Sequence, residues 1–162
     1  MITILAATGR NNEIGYRNQL LWNLPKDLKR FKDITNGYPV IMGRNTYLSM
    51  GKALDNRTNI VITRKTDWFE EEILIVNTLK DAIKHAKKID EKIFIIGGGE
   101  IYKQSMEMAE RIELTRVDGS FEADVFFPEI NEKHWYITNE QCIDKDEKHA
   151  YNFCFQTFER NL

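Results

Sequence analysis

The stretch "LLWNLPKDLKRFKDI", residues 20–34, places an acid where chemistry is plausible. Pro25 suits the first position of a helix and Gly37 a position just past its end, so Asp27 falls in the first turn. An acid there complements the free N–H groups and the dipole of a helix start. Asp27 also precedes Phe31 and Ile34 at helical spacing, and Leu24, Leu28 and Phe31 form the adjoining apolar stripe. A carboxylate on the margin of such a stripe is partly stripped of water. That costs free energy unless a partner supplies hydrogen bonds or positive charge. A ligand with an amidine-like edge is one such partner, since it pairs with a carboxylate through two parallel hydrogen bonds. Local rules leave both readings of Asp27 open.

Two strand-to-helix junctions carry the next signal. "IIGGGEIY" sets Gly97, Gly98 and Gly99 between a buried strand and a helix start, and "IMGRNTY" repeats the arrangement with Gly43, Arg44, Asn45 and Thr46. Glycine lets backbone approach a ligand closely, and the free N–H groups of a first turn favour anions. Two such junctions in one sheet can cradle a pyrophosphate; the plainer alternative is that each glycine only permits a tight turn. Arg44 and the pair Thr63–Arg64 fall just past strand ends, where an arginine fork suits phosphate oxygens. Neither junction is a G-x-G-x-x-G fingerprint, and no G-x-x-x-x-G-K-[ST] is present.

Other chemistries find little support. There is no G-x-S-x-G and no cysteine with a histidine close by in sequence. His85, His134 and His149 are scattered, so no metal site is expected. Cys142 and Cys154 are the only cysteines and fit no metal spacing; two reduced thiols in a cytoplasmic protein are the expectation. The net charge of −2 gives no electrostatic case for a nucleic acid or an anionic membrane. The first apolar run, "ITILAAT", lacks a basic flank and is too short to span a bilayer.

Elements that must position these residues alternate along the chain. "ITILAAT", "PVIMG", "NIVITR", "EILIVN", "KIFIIGGG", "RIELTRV", "HWYITNEQC" and "YNFCFQTFER" read as strands, the last two as antiparallel neighbours. "PKDLKRFKDITNG", "RNTYLSMG", "TLKDAIKHAKKI" and "EIYKQSMEMA" read as helices, and residues 9–23 as a long polar loop. Near-continuous apolar runs such as "VIM", "IVI" and "IFII" suit strands covered on both faces. The expected fold is α/β: one domain over residues 1–162, a mostly parallel eight-stranded sheet with an antiparallel C-terminal edge, and about four flanking helices. Ligands then bind beyond the carboxyl ends of the strands, near Ala7, Gly43, Thr63, Gly97 and Thr115.

Taken in order and spacing, "W-N-L-P-x-D-L", "V-I-M-G-R-x-T" and "I-G-G-G-x-x-Y" are jointly specific, and with "RTNIVITR", "IELTRV" and "ADVFFPEI" the sequence resembles the dihydrofolate reductase family of the bacterial chromosomal kind over nearly its whole length. The resemblance implies hydride transfer from NADPH to C6 of dihydrofolate with protonation of N5. It makes Asp27 the acid facing the pterin ring, with Trp22 and Thr115 tying it and nearby water into a network. It assigns Leu5, Ala6, Leu28, Phe31, Met50, Leu54 and Ile96 to the substrate pocket, Arg57 to the glutamate α-carboxylate, and Lys32 and Lys52 near the other carboxylate. Ala7, Ile14, Gly15 and Asn18 match the nicotinamide end, and Arg44, Thr63 and Arg64 the 2′-phosphate pocket. Gly43, Asn45, Thr46, Gly97, Gly98, Gly99, Glu100, Ile101 and Tyr102 match the pyrophosphate region, with a cis peptide between Gly97 and Gly98. The polar loop matches a mobile lid. The implied state is a monomer with no nucleic-acid or membrane partner.

Several residues depart from the family pattern. Leu21 replaces a common proline in the lid, Ala123 a frequent glycine in its partner loop, and Ala150 a serine that can brace an open lid. Glu100 puts an acid near the phosphates, so its side chain is expected to face solvent. The competing functions are a related pyrimidine reductase of riboflavin synthesis, which would not need Asp27, Phe31 and Arg57 together, and a binding module without turnover.

Overall fold

The computed structural model describes residues 1–17 and 19–161; Asn18, expected at the nicotinamide end, lies outside the described residues. The first strand, β1 (Ile2–Thr8), runs through the centre of the sheet and pairs in parallel with β7 (Ile93–Ile95) on one side and β8 (Arg111–Val117) on the other. Beyond β7 lie β4 (Val40–Gly43), β5 (Asn59–Ile62) and β6 (Ile73–Val76), all parallel. Beyond β8, the C-terminal strand β11 (Phe153–Arg160) runs antiparallel and carries β10 (Trp135–Ile143) on its outer side. The result is the expected mixed eight-stranded sheet, in the order β10-β11-β8-β1-β7-β4-β5-β6.

Alternation along the central strands divides the core into two faces. Ile2, Ile4, Ala6, Ile41, Ile93 and Ile95 point to one side, where α3 (Leu79–Lys87) and α4 (Gly99–Ser105) cover them with Leu79, Ala82, Ile83, Ala86, Ile101 and Tyr102. Leu5, Val40, Met42, Val61, Phe94 and Ile96 point to the other, against Phe31 and Ile34 of α1 (Pro25–Thr35) and Tyr47 and Met50 of α2 (Arg44–Met50). Burial on both faces explains the continuous apolar runs. Thr78 starts α3 by accepting a hydrogen bond from the Asp81 N–H at 3.1 Å. Gly37 takes φ +85° just after α1, a conformation that favours glycine.

Two expectations are corrected. The polar loop of residues 9–23 contains regular structure: β2 (Glu13–Tyr16) pairs with β3 (Gln19–Leu20) and with β9 (Val125–Phe126) in a separate three-stranded sheet. No local periodicity marks it, because β9 lies more than a hundred residues further along the chain. Cys142 and Cys154 are not two free thiols. They sit directly opposite each other on β10 and β11, Cα atoms 4.0 Å apart, joined as a disulfide.

Candidate functional site

A cleft of about 1040 Å³ opens where β1, β4, β5, β7 and β8 end, between α1 and the β2–β3 segment on one side and the starts of α2 and α4 on the other. At one end of it, Asp27 stands in the first turn of α1, and its Oδ1 accepts a hydrogen bond from the Thr115 hydroxyl at 2.6 Å. Burial raises the Asp27 pKa above its ordinary value; the Thr115 bond and the charge of Arg30 oppose the shift without cancelling it. Arg30 is itself committed, since it pairs with Glu113 at 2.7 Å and lies over the Phe155 ring. Among the described residues, Asp27 therefore makes no ion pair, and its second oxygen accepts no protein hydrogen bond.

Around this acid the lining is apolar. Leu28 is 51% exposed despite lying beside the core, and with Phe31, Met50 and Ile96 it presents a wall suited to a flat ring. Trp22 lines the same end and packs on Phe121 with ring centroids 5.2 Å apart. The Leu5 carbonyl faces the cleft and accepts a hydrogen bond from the Tyr102 hydroxyl at 2.8 Å. Burial, with Asp27 nearby, pushes the Tyr102 pKa far up, so this phenol stays a neutral donor.

The opposite end offers groups that can receive an anion. Helices α2 and α4 start at Gly43 and Gly98 with no side-chain cap, and the Gly43 N–H donates to the Gly97 carbonyl at 2.8 Å, joining the two junctions. The Gly97–Gly98 peptide is cis and Gly97 has φ +124°. A Cβ on Gly97 or Gly98 would sit 3.4 or 3.3 Å from the Thr46 hydroxyl, so a side chain would crowd the cradle. Arg44 stacks on Trp68 at 5.0 Å, and its Nε is buried without a partner, an orphan donor that a bound anion would satisfy. Arg64 and Lys65 are exposed beside the buried Thr63, whose hydroxyl accepts from the Lys65 N–H. Glu100 is exposed and accepts a hydrogen bond from Gln104 rather than facing inward as a buried acid.

Over the cleft, the β2–β3 segment is docked rather than loose. The Arg17 N–H donates to Asp124 Oδ2 at 3.0 Å, and the Asp124 N–H donates back to the Gly15 carbonyl. Its base is held by two charged groups. Arg116 Nη1 donates to the Thr8 hydroxyl, the Gly9 carbonyl and Asn12 Oδ1. Glu13, 1% exposed, accepts from the N–H groups of Asn11 and Phe121. Burial pushes the Glu13 carboxyl up, but these donors and the Arg116 charge more than offset it and leave its pKa below the ordinary value.

Of the residues expected at a site, Leu5, Ala6, Ala7, Ile14, Gly15, Trp22, Asp27, Leu28, Phe31, Gly43, Arg44, Asn45, Thr46, Met50, Thr63, Arg64, Ile96, Gly97, Gly98, Gly99, Glu100, Ile101, Tyr102 and Thr115 line this one cleft. Lys32, Lys52, Leu54 and Arg57 do not. Leu54 packs against the same buried cluster as Phe31 and Met50, and Lys32 and Lys52 are exposed. Arg57 is held by the Thr35 hydroxyl and by the Lys32 and Asp55 carbonyls. Glu13, Trp68 and Lys65 were not singled out from sequence. Lys65 could have been, as the cation next to Arg64, whereas Glu13 sits in a polar run with no periodicity to mark it.

An α/β sheet with an apolar, acid-bearing pocket at one end of a cleft and two uncapped glycine junctions at the other has the layout of an enzyme that brings a nucleotide to a flat ring. The comparisons give the family. Residues 1–160 match the family model described as dihydrofolate reductase, and the chain belongs to that family. It is 38% identical to the dihydrofolate reductase of Bacillus subtilis over 160 residues, covering 99% of this chain and 95% of that one. It is 39% identical to that of Haemophilus influenzae over 154 residues, with 94% of each chain covered. The structure of dihydrofolate reductase from Enterococcus faecalis complexed with NADP(H) and RAB-propyl superposes with a TM-score of 0.94 at 32% identity, covering 100% of this chain and 97% of that one.

Proposed function

We propose that this chain reduces 7,8-dihydrofolate to 5,6,7,8-tetrahydrofolate with NADPH. The observation that carries the reading is a single cleft holding a desolvated, half-paired Asp27 at one end and the orphan Nε of Arg44 between two uncapped glycine junctions at the other. When bound, NADPH supplies the hydride for C6.

Asp27 takes the 2-amino group and the neighbouring ring nitrogen of the pterin through its two oxygens, with Thr115 fixing the carboxylate's rotation. The raised pKa of Asp27 eases sharing of a proton with the ring and so favours the protonated substrate. The proton for N5 comes from solvent, admitted on the Trp22 side. Leu28, Phe31 and Met50 wall the ring and the benzoyl group. Arg57 has five N–H donors, of which three are engaged by Thr35, Lys32 and Asp55, so two remain for the α-carboxylate of the glutamate tail. Lys32 and Lys52 lie on that exposed side.

On the cofactor side, the backbone at Gly43, Gly97, Gly98 and Gly99 takes the pyrophosphate together with Asn45 and Thr46. Arg44, Thr63 and Arg64 hold the 2′-phosphate, while Ala7, Ile14 and Gly15 contact the nicotinamide under the β2–β3 lid. The lid excludes water during transfer. The chain acts as one domain and a monomer in the cytoplasm; no helix among the described residues is long and apolar enough to cross a membrane.

The test is NADPH oxidation with dihydrofolate as the only acceptor. Turnover to tetrahydrofolate is expected, and cofactor binding without turnover would reject the reading. Replacing Arg44 and Arg64 by Ala is expected to weaken NADPH at least tenfold more than NADH, on the order of 1.4 kcal/mol of selectivity. Equal losses would reject the 2′-phosphate assignment.

A further inference from the structure

We propose that His149, remote in sequence and outside the cleft, is a positioning residue for Asp27 because its ring caps the start of the helix that carries the acid. The inference rests on the reading of Asp27 as the acid that docks the substrate ring.

The start of α1 lacks the usual local cap. Its N-cap residue is Leu24, which has no side-chain acceptor, and Pro25 has no N–H to satisfy. The first free N–H belongs to Lys26, and it donates to His149 Nε2 at 3.1 Å across 123 positions of sequence. The other ring nitrogen, Nδ1, lies 2.7 Å from Asp146 Oδ1. An N–H donor at Nε2 and a carboxylate at Nδ1 together require the neutral ring with its proton on Nδ1. Asp146 thus sets the tautomer that makes Nε2 an acceptor. The ring cannot wander, because it is 2% exposed and packs on Phe153 with centroids 5.3 Å apart. The loop beneath it is closed by paired backbone bonds between Asp146 and His149 and by the Lys148 N–H on Asp146 Oδ1.

Asp27 follows Lys26 directly. Its carboxylate meets Thr115 on β8, and three residues on Arg30 meets Glu113 on the same strand. Thr115 orients the side chain, and among the described residues His149 supplies the acceptor for the N–H of the residue before it. Without that cap the first turn is free to fray, as helix ends do when their N–H groups lack partners. The acid then loses its fixed position against the ring. The charged groups facing this contact are Lys26, Lys29, Asp146, Glu147 and Lys148, which line a separate surface cleft of about 650 Å³. The proposed NADPH contacts come from β1, β2, β4–α2, β5 and β7–α4, and none of them lies on α1.

The test compares His149→Ala, His149→Gln, Asp146→Ala and Asp27→Asn in the full chain. In His149→Ala, exchange of the Lys26 amide hydrogen should speed up, and the Kd and KM for dihydrofolate should rise about three- to tenfold, the loss expected for a helix cap. The NADPH Kd should stay within twofold. His149→Gln, whose amide oxygen can accept from Lys26, should restore much of both effects, and Asp146→Ala should give an intermediate loss that carries the test if His149→Ala does not fold. In an Asp27→Asn background, His149→Ala should add less than twofold. Unchanged Lys26 exchange, equal weakening of dihydrofolate and NADPH, or a full His149 penalty without the Asp27 carboxylate would each overturn the proposal. If Asp27→Asn cripples turnover while the His149 and Asp146 variants change nothing, only this inference fails. If Asp27→Asn behaves as wild type, the reading of Asp27 fails and the inference with it.

Discussion

Glu13 and Asp27 are both carboxylates short of water, and their neighbours drive them in opposite directions. Glu13 faces backbone N–H groups and Arg116, so its charged form is held and its pKa is lowered from 4.5. It contributes stability that is present above that ordinary value and lost as pH falls through the lowered one. Asp27 has the Thr115 hydroxyl and no cation of its own, so burial wins and its pKa is raised from 3.8. The folded state then binds the proton more tightly than the unfolded chain, and stability falls as pH rises from the ordinary value through the raised one. Thermal melts across pH should separate the two. Glu13→Gln is expected to lose about 1–3 kcal/mol at neutral pH, the cost of leaving buried donors facing an amide. Asp27→Asn should be at least as stable as wild type there. Equal losses would contradict a charge kept at Asp27 for function rather than for the fold. Asp27 was legible in the sequence because helical spacing sets it beside Leu24, Leu28 and Phe31. Glu13 was not, because one of its partners, Phe121, is 108 residues away.

At the scale of elements, the start of α4 is where the central sheet, the proposed cofactor cradle and the β2–β3–β9 sheet meet. A Cβ on Gly99 would lie 2.6 Å from Val125 Cγ1 and 3.5 Å from the Phe126 carbonyl, so an added methyl group must displace the Val125 side chain or shift α4 from β9. Overpacking of this kind costs about 1–3 kcal/mol. Gly99→Ala is therefore expected to raise the NADPH Kd by roughly five- to a hundredfold in a fluorescence titration. An unchanged Kd would mean that the junction only turns the chain. The four helices and the central strands were legible because each carries its own apolar period, cap or proline. The β2–β3–β9 sheet was hidden, since β3 and β9 have two residues each and β9 comes from far along the chain. The antiparallel pairing of β10 and β11 was legible, but the register that sets Cys142 opposite Cys154 was not, because pairing register is decided by the whole hairpin and by β8 beside β11.

Across the whole molecule, one cleft holds both proposed binding regions and is lined in part by the β2–β3 segment, so ligand binding should stabilise the entire chain. NADPH at a hundred times its Kd is expected to add about 2.7 kcal/mol and to raise Tm by about 5–10 °C. NADH at the same concentration should raise it less, because it lacks the 2′-phosphate proposed to meet Arg44 and Arg64. No rise with either would contradict the cradle. The most direct test of the central claim is the pH–rate profile of Asp27→Asn with dihydrofolate and NADPH. Turnover near neutral pH should fall about 10²–10⁴-fold and recover partly in acid, where the substrate takes its proton unaided. Turnover at the wild-type rate near neutrality would contradict the role of Asp27 as the acid against which the pterin ring docks.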